Sequence, residues 1–350
     1  MKFLRILISS IIIIFIIAFF IFQKPNWNRT ERVWELVNWN CGRMQVITYA
    51  HKKRNDLYEI TNNSIQEIKR LDKVINENNK NSEAGQLRLE LEKGQTNNQV
   101  TPELFKLINF AVKVSKITNG AFDITVGPLI QLWKNKAKQN KIPQKKELEK
   151  VKKQIGWNLI KLDKNKSVVK CLSKYISINL GAFSKGYAID RVVKVLQLQE
   201  IPQAMVNIGG DLRCYGSKVW KIGIQDPFID SKGEEKIIGI IGVKNKAIAT
   251  SGHYRRYVTI KGKKYSHIIN PRTGYPVSNK IVSVTVIADN AMTADAYATA
   301  FCVLPPEKSI KLADNNNIDL FIITQEKNKT NYYCSNNLKK YWIKQPYFVE

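Results

Sequence analysis

Apolar residues in the first half of the chain recur at helical spacing. The residues that carry this pattern are Ile65, Ile68, Leu71 and Ile75. Their recurrence every three or four positions predicts an amphipathic helix within a helix-rich part that runs from about Leu57 to Val114. A second helix in that part begins at Thr101–Glu103, because Thr is a favoured N-cap residue and Pro is favoured at the first helical position. The polar segment between the two helices, residues 76–98, predicts a loop.

In the second half of the chain, short strands alternate with helices. Strands are predicted at Leu159–Leu162, Ser167–Cys171, Tyr175–Leu180, Ala204–Ile208, Trp220–Ile224, Ile237–Val243, Tyr254–Ile260 and Val282–Ile287, and helices at Lys145–Gln154, Ser184–Leu198 and Thr293–Val303. The strands at 237–243 and 254–260 look like hairpin partners. Neighbouring strands are joined both directly and through helices, and the chain has neither an internal repeat nor a low-complexity linker. The pattern therefore predicts one compact α+β domain over residues 46–350.

The first residues predict a membrane segment. Lys2 and Arg5 precede a nearly unbroken apolar run, Ile6–Phe22, which is interrupted only by two serines. A cleaved secretory signal has a similar charged front but ends in a small-residue cleavage site, and no such site follows this run. The sequence favours an uncleaved signal-anchor at 1–24 and a juxtamembrane entry segment at 25–45, with a cleaved signal as the alternative. Either way, we expect the rest of the chain on the periplasmic or extracytoplasmic side of the membrane.

The charge of the chain is strongly positive. Lys and Arg number 56 against 29 Asp and Glu, which gives a formal net charge of +27 and a field that attracts anions. The lysines are scattered among Asn and Ile rather than interleaved with aromatic residues, so nucleic acid is not a predicted partner. The densest run, Lys134–Lys153, predicts the solvated surface of a loop and a helix.

The cysteines restrict the kind of site that the chain can hold. They are Cys41, Cys171, Cys214, Cys302 and Cys334, and none stands in a C-x-x-C pair. That spacing excludes zinc ribbons and thioredoxin-like redox motifs. An odd number also forbids complete pairing within the chain. Cys302 lies in an apolar run, 298–304, which predicts a buried small hydrophobic residue.

Two glycine-containing turns are candidates for anion binding. The first, Ser177–Tyr187, runs from a predicted strand through a glycine-punctuated turn into a helix. Helix N-termini that follow small residues bind phosphate through free backbone N–H groups and the helix dipole, and Lys185 adds a full charge. The second, Val206–Asp211, has paired glycines after a buried strand, which let a ligand approach closely. Ordinary packing turns are the alternative explanation of both.

Two further clusters carry side chains suited to chemistry. His267 lies in a stretch of hydroxyl and turn residues, 266–276, and loops of this kind often carry functional residues; a structural histidine is the alternative. Asp295 and Thr299 stand four apart on one face of the predicted helix, which places a carboxylate beside a hydroxyl. Hard oxygen ligands of this kind suit Mg²⁺, and a buried Asp bonded to Thr explains the spacing equally well.

The amino-acid motifs in these clusters, and their order along the chain, closely resemble those of one family, the ApbE-like FAD:protein FMN transferases. The resemblance covers roughly residues 40–325. The most specific motifs of this resemblance are Gly120–Leu129, Asn179–Asp190, Val206–Asp211, Ala249–Gly252, His267–Pro276 and Ala294–Thr299.

The resemblance implies an α+β, T-fold-like catalytic domain with FAD in an elongated cleft and Mg²⁺ on its pyrophosphate. It implies metal ligands that match Asp295, Thr299 and the backbone carbonyl of Ala182, and a general base that matches His267. The positions that match flavin-nucleotide contacts are Cys41, Asn78, Ala121, Phe122, Asp123, Asn179, Lys185 and Ile269. The implied reaction cleaves FAD, links FMN by a phosphoester to a threonine of an acceptor protein, and releases AMP.

At several positions of the implied pocket, the chain has a different residue from the one that is usual in the family. Asn179 and Asn270 stand where Asp is usual, Cys41 where Met is typical, and Asn78 near a position often occupied by Tyr. Two negative charges and a stacking surface are therefore missing. These changes leave two alternatives open: an FAD pyrophosphatase that gives FMN and AMP, and a non-catalytic exported flavin-binding protein. For a transferase, the resemblance implies membrane redox subunits as the usual acceptors.

Overall fold

The computed structural model describes residues 27–36, 42–51, 56–173, 176–228, 236–252, 257–277, 280–326 and 329–346. Its helices are α1 (Leu57–Ile75), α2 (Glu83–Glu92), α3 (Pro102–Ile117), α4 (Gly127–Lys138), α5 (Lys145–Lys152), α6 (Ser184–Leu198), α7 (Ala291–Phe301) and α8 (Pro306–Asn315). Its strands are β1 (Trp27–Leu36), β2 (Gly42–His51), β3 (Asn97–Gln99), β4 (Ile160–Asp163), β5 (Val168–Cys171), β6 (Gln203–Ile208), β7 (Asp211–Tyr215), β8 (Trp220–Gln225), β9 (Ile237–Val243), β10 (Ala247–Gly252), β11 (Tyr257–Ile260), β12 (Lys263–Ser266), β13 (Ile281–Ala288), β14 (Asp319–Glu326), β15 (Lys329–Cys334) and β16 (Trp342–Lys344).

Eight strands form one antiparallel sheet in the order β1-β2-β6-β7-β10-β13-β14-β15. Successive side chains of a strand point to opposite faces, and both faces are covered in the middle of this sheet. Strand β13 shows this best, because every residue of Ile281–Ala288 is buried. Val286 packs into the core on one face and Ile287 into the core on the other. Double coverage explains why apolar residues occupy consecutive positions in strands such as β14, where Leu320–Ile323 are all buried, instead of alternating with polar ones.

Helices cover one face of the sheet. Buried residues of α1, α3, α6 and α7 join those of the central strands in a single apolar core. A polar network also links three of these helices: Arg70 of α1 donates to the carboxylate of Glu103 in α3, and the hydroxyl of Tyr187 in α6 donates to the same carboxylate. Helix α6 lies between α1 and α7 and packs against both. This arrangement brings the N-terminus of α6 to the first turns of α7.

The opposite face of the sheet is covered by a small antiparallel sheet, β16-β9-β8. Trp220 and Ile241 from this layer pack in one core with Ile248 and Phe321 from the main sheet. A third apolar cluster joins α4 and α5 to the β11–β12 hairpin through Trp133 and neighbouring side chains. This third unit flanks the helical layer, and its inner surface forms part of the cleft described below.

Most predicted elements agree with the structure. The helix with Ile68, Leu71 and Ile75 on its buried face is α1. Thr101 caps α3, where its hydroxyl accepts the N–H of Leu104 at 3.3 Å. The predicted helices at 145–154, 184–198 and 293–303 correspond to α5, α6 and α7. The prediction of strands is confirmed at β4, β5, β6, β8, β9 and β13.

The prediction of a loop over residues 76–98 is wrong, because the segment contains helix α2 and strand β3. Ser82 caps α2 by accepting the N–H of Gly85 at 2.9 Å. The buried positions of this helix include Leu87 and Leu91, four residues apart. Its remaining surface is polar, and that composition hides the helical spacing in the sequence.

One strand prediction and one pairing prediction are also wrong. Residues 176–180 form no strand, although Ile176, Ile178 and Leu180 alternate into the core, because no neighbouring strand pairs with them. Residues 254–256 of the second predicted hairpin strand lie outside the described residues, and the described remainder does not pair with 237–243: β9 pairs with β8 and β16, and β11 pairs with β12. Alternation identifies extended segments, whereas pairing depends on which segments the fold brings together.

The predicted membrane segment, Ile6–Phe22, lies outside the described residues. Within the described ranges, no helix combines the length and apolar character needed to cross a bilayer. Strand β1 and the start of β2 fall inside the predicted entry segment 25–45 and belong to the main sheet. Among the predicted cysteine features, the burial of Cys302 is confirmed, and burial raises the pKa of its thiol to about 12.

Candidate functional site

A cleft of about 520 Å³ opens on the helical side of the sheet, a volume typical of small-molecule sites. Its walls come from the α1–α2 connection, the segment before α4, the turn before α6, the end of β10, the loop after β12, and α7. Of the residues that the sequence analysis implicated, those lining it are Asn78, Ala121, Phe122, Asp123, Asn179, Ala182, Lys185, His267, Ile269, Asp295 and Thr299. Two implicated residues are not among them: Cys41 lies outside the described part of the chain, and Asn270 does not line the cleft although its neighbours Ile269 and Pro271 do.

The turn before α6 is held in place by its own asparagine. The backbone N–H of Asn179 donates to the carbonyl of Ile124 at 2.7 Å, and the side-chain oxygen of Asn179 accepts the N–H of Gly181 at 3.1 Å. Both bonds require only a neutral amide oxygen and a backbone group. Asn179 therefore holds this turn without the carboxylate that the family usually has there.

Three oxygen donors converge where this turn meets α7. The hydroxyl of Thr299 donates to the carbonyl of Ala182 at 3.4 Å. The carboxylate of Asp295 is buried, and its Oδ2 accepts the backbone N–H of Gly186 at 3.1 Å. Because Asp295 and Thr299 are one helical turn apart on α7, both side chains face the start of α6.

These donors are chemically suited to Mg²⁺. The ion takes hard oxygen ligands at about 2.1 Å, so two ligands on adjacent corners of an octahedron lie roughly 3 Å apart. The 3.4 Å separation between Thr299 Oγ1 and the Ala182 carbonyl is close to that spacing. One carboxylate, one hydroxyl and one carbonyl leave further positions for water and phosphate, as Mg²⁺ prefers. Within the described residues, no group of three or more His, Cys, Asp or Glu side chains is placed to hold a metal ion, so a metal at this position would depend on the hydroxyl and the carbonyl as well as on Asp295.

Asp123 is held by the protein on both of its carboxylate oxygens. Oδ1 accepts the backbone N–H of Thr125 at 2.8 Å and the hydroxyl of Thr125 at 2.7 Å, while Oδ2 accepts the N–H of Trp157 at 2.9 Å. Burial raises the pKa of this carboxyl above its ordinary value, and these donors oppose that rise. Asp123 therefore fixes the shape of the cleft wall between Phe122 and α4.

Lys185 is tied to the main sheet. Its ammonium group forms a salt bridge with Asp211 at the start of β7. The other carboxylate oxygen of Asp211 accepts the N–H of Thr250 at 3.0 Å. Asp211 thus links three cleft-forming segments, the start of α6, the Gly209–Asp211 turn and the end of β10, and it holds the positive charge of Lys185 near the cleft.

His267 lies on a loop whose backbone is extensively bonded. The N–H of Val277 donates to the carbonyl of Ile268 at 2.9 Å, and the N–H of Asn270 donates to the carbonyl of Tyr275 at 2.8 Å. The side-chain oxygen of Asn270 accepts the N–H of Arg272 at 3.0 Å inside the same turn. These bonds fix the loop, while the side chain of His267 stays exposed at the cleft and can reach a reactant from solvent.

The sequence analysis missed Glu77, a buried carboxyl in the cleft wall beside Asn78. Burial raises its pKa, and this rise is opposed by its own backbone N–H, by the positive charge of Arg88 and by the backbone N–H groups of Gly181 and Leu180. Glu77 lies in the segment interpreted as a polar loop, where one acid among many asparagines gives no signal. Lys134 also lines the cleft, although its charge run reads as ordinary surface. Only the fold shows that α4 turns this lysine towards the site.

Comparisons with known proteins show the family of the chain. A family model described as the ApbE family matches residues 42–322. The FAD:protein FMN transferase of Haemophilus influenzae is 32% identical over 302 residues, which cover 82% of this chain and 86% of that protein. The enzyme of the same name from Vibrio cholerae is 34% identical over 254 residues, which cover 70% of this chain and 74% of that protein.

Solved structures are similar over almost the whole fold. The flavin transferase ApbE from Vibrio cholerae has a TM-score of 0.77 at 25% identity, and the match covers 90% of this chain and 99% of that one. The ApbE protein from Thermotoga maritima has a TM-score of 0.76 at 29% identity, with coverage of 90% and 99%.

Proposed function

The chain belongs to the ApbE family and is an FAD:protein FMN transferase, and we propose that it transfers FMN to a threonine hydroxyl, depends on Mg²⁺ and releases AMP. The observation that supports the metal requirement is the convergence of Ala182, Asp295 and Thr299 oxygens at the N-terminus of α6. Pyrophosphate is anionic, and a helix N-terminus beside a lysine is a favourable place for it.

The proposed chemistry is the displacement of AMP from the FMN phosphorus. The threonine oxygen forms a bond to that phosphorus, the bond between the same phosphorus and the AMP oxygen breaks, and the hydroxyl proton passes to His267. A histidine suits this role because its ordinary pKa lies near neutral pH. Bound Mg²⁺ would neutralise charge on the pyrophosphate and on the departing oxygen. The protein's own contribution is to orient the flavin nucleotide and to hold Lys185 and His267 beside the reacting phosphate.

Hydrolysis of FAD is the second candidate. His267 is exposed, and an exposed base can activate water as well as a threonine hydroxyl. Asn78 stands in the cleft near the position where the family often has a tyrosine, so a polar side chain replaces an aromatic one that would help to exclude water there. A non-catalytic flavin-binding protein is the third candidate. The presence of Asp295, Thr299 and His267 in one cleft argues against it.

One experiment separates these functions. The full chain is incubated with FAD, MgCl₂ and a peptide that carries a single threonine among small residues, and both AMP release and peptide mass are measured. A peptide that gains the mass of FMN minus water supports transfer. AMP without an adduct supports hydrolysis, and bound FAD with neither product rejects both enzymatic proposals. A His267→Ala variant is the control, and we expect it to bind FAD but to form adduct slowly.

We also propose that residues 1–24 anchor the protein and that residues 25–45, which contribute β1 and the start of β2 to the main sheet, connect this anchor to a catalytic domain on the periplasmic or extracytoplasmic face. The support is the apolar run Ile6–Phe22 behind two basic residues. Membrane redox subunits are then natural acceptors, because they are held at the same surface. Cell fractionation of the full chain and of a chain that lacks residues 1–24 tests the anchor; equal partition of both chains to the soluble fraction would reject it.

A further inference from the structure

Helices α6 and α7 meet through three polar contacts at regular spacing. Counted from the cleft outwards, the contacting pairs are Ala182 with Thr299, Gly186 with Asp295, and Asp190 with Ala291. The contacting positions are four residues apart both in α6 with its preceding turn and in α7, so each set lies along one face. From the cleft outwards, the residue numbers rise along α6 and fall along α7. The two faces therefore match in a single antiparallel register.

The first two contacts contain all the proposed metal ligands, and the third contains none. In this third contact, the carboxylate of Asp190 accepts two backbone N–H groups, from Ala291 and from Met292, each at 2.9 Å. These belong to the first turn of α7, where N–H groups have no partner within the helix and the dipole favours a negative charge. Arg213 of β7 donates to the same carboxylate at 2.6 Å. Asp190 is thus attached to α7 at one end and to the main sheet at the other.

Helices α6 and α7 also pack closely between the second and third contacts, where Gly186 lies against the backbone of Ala291. A methyl group on Gly186 would lie 2.2 Å from the carbonyl oxygen of Ala291, so backbone packs against backbone at this point. A shift of α7 by one residue would move it about 1.5 Å along its axis. Such a shift would break the bonds to Asp190 and would carry Asp295 and Thr299 away from Ala182.

We propose that Asp190 is a positioning residue that sets the register of α7 on α6, and through it the distance of Asp295 and Thr299 from the Ala182 carbonyl. The inference rests on the Mg²⁺ site proposed above. Asp190 does not touch the ion: it acts two helical turns away from Thr299, through the rigid first half of α7. Residues that orient metal ligands from outside the site change metal affinity by about 10- to 100-fold when they are replaced.

The test measures Mn²⁺ binding to the full chain by electron paramagnetic resonance, with Asp190→Asn compared with Arg213→Met. Asparagine is the same size but presents an NH₂ group to one of the two helix N–H donors. Arg213→Met removes the salt bridge and leaves both helix bonds intact. We expect Asp190→Asn to weaken Mn²⁺ binding by at least about tenfold, and Arg213→Met to weaken it less than about threefold. Asp190→Glu, which keeps the charge beside Arg213, replaces Asp190→Asn if the latter does not fold, with the same expected loss.

Hydrogen exchange gives a second readout that needs no metal. Asp190→Asn should speed the exchange of amides in the first two turns of α7, whereas Arg213→Met should leave them nearly as slow as in the wild type. If the wild-type protein binds no Mn²⁺, the proposed metal site is rejected, and with it the expected effect of Asp190→Asn on metal binding. Wild-type binding that Asp190→Asn leaves unchanged, or unchanged exchange in α7, would overturn the positioning role alone.

Discussion

The carboxylate of Asp295 accepts the backbone N–H of Gly186 at 3.1 Å, so the acid on α7 is bonded directly to the first turn of α6. One carboxylate oxygen is thereby fixed by the protein. The bond also fixes the direction in which the other oxygen points. Loss of this side chain should therefore remove a proposed metal ligand and loosen the start of α6 together.

Asp295→Ala should abolish Mg²⁺-dependent AMP release. The change removes the only carboxylate among the three proposed ligands, and the remaining neutral oxygens hold a divalent ion weakly. AMP release is measured over a range of MgCl₂ concentrations, with FAD fixed and saturating. Asp295→Asn should retain the fold better, because an amide oxygen can still accept the Gly186 N–H, and yet lose Mg²⁺-dependent turnover. Turnover at the wild-type rate in either variant would refute the metal assignment.

Gly186→Ala should destabilise the protein although alanine favours helices. The added methyl group would meet the carbonyl oxygen of Ala291 at 2.2 Å, and backbone cannot move aside as a flexible side chain can. Overpacking of this kind costs about 1–3 kcal/mol, which outweighs the roughly 1 kcal/mol gained in helix propensity. Any movement of α7 that relieves the clash would also shift Asp295 and Thr299 away from Ala182. Urea unfolding measures the stability, and the MgCl₂ concentration for half-maximal turnover measures the site.

The control for that change is Gly262→Ala, at a hairpin position where an added methyl group meets nothing within 4 Å. Its backbone has φ of +75°, so alanine there costs about 1 kcal/mol through conformation alone. Both variants should unfold earlier than the wild type. Only Gly186→Ala should raise the MgCl₂ requirement, and an equal requirement in both would contradict the close contact between α6 and α7.

The sequence could predict the helices of the site because each has a local signal. Asp295 and Thr299 are four apart within an alanine-rich helix, and that spacing alone puts them on one face. The start of α6 follows a glycine turn, and the structure begins the helix at Ser184 as predicted. The sequence pattern was sufficient to predict these features because the spacing within one helix decides which of its side chains share a face.

The parts that the sequence could not predict depend on distant segments. Glu77 enters the cleft because α2 folds back after α1, and the capping serine of α2 is hidden among asparagines. The partners of β9 and β11 are chosen by sheet packing, which alternation does not encode. Asp190 is the clearest case: nothing in its surroundings in the sequence indicates that it caps a helix that begins a hundred residues later.

Asp123→Asn should lower stability and weaken FAD binding together. Three protein donors point at the carboxylate, so an NH₂ group in place of one oxygen must face an N–H or O–H donor. A buried donor without a partner costs about 1–3 kcal/mol. Urea unfolding gives the stability loss, and quenching of flavin fluorescence gives FAD affinity. Thr125→Ser, which keeps the hydroxyl, is the matched control and should retain FAD affinity; full affinity in Asp123→Asn would show that the cleft wall does not depend on this carboxylate.

The Glu103 carboxylate should make part of the stability depend on pH. The bidentate hydrogen bonds from Arg70, at 2.7 and 2.9 Å, are the main cause that lowers the pKa of Glu103 from an ordinary 4.5 to about 2. A carboxyl with a lowered pKa in the folded state contributes stability that is fully present above the unfolded pKa. That contribution is lost as the pH falls from about 4.5 towards 2.

Glu103→Gln should therefore lower the free energy of unfolding by about 1–2 kcal/mol at pH 7. The expected loss is kept modest because the side chain is partly exposed and solvent screens its interaction with Arg70. The difference from the wild type should shrink as the pH is lowered towards 2, since the wild-type carboxyl then becomes neutral as well. Urea unfolding at pH 7, 4 and 3 measures the change. Glu92→Gln breaks an exposed pair with Arg88 and should cost no more than about 0.5 kcal/mol at any of these pH values. A difference between Glu103→Gln and the wild type that stays constant from pH 7 to 3 would mean that Arg70 does not hold the pKa of Glu103 down.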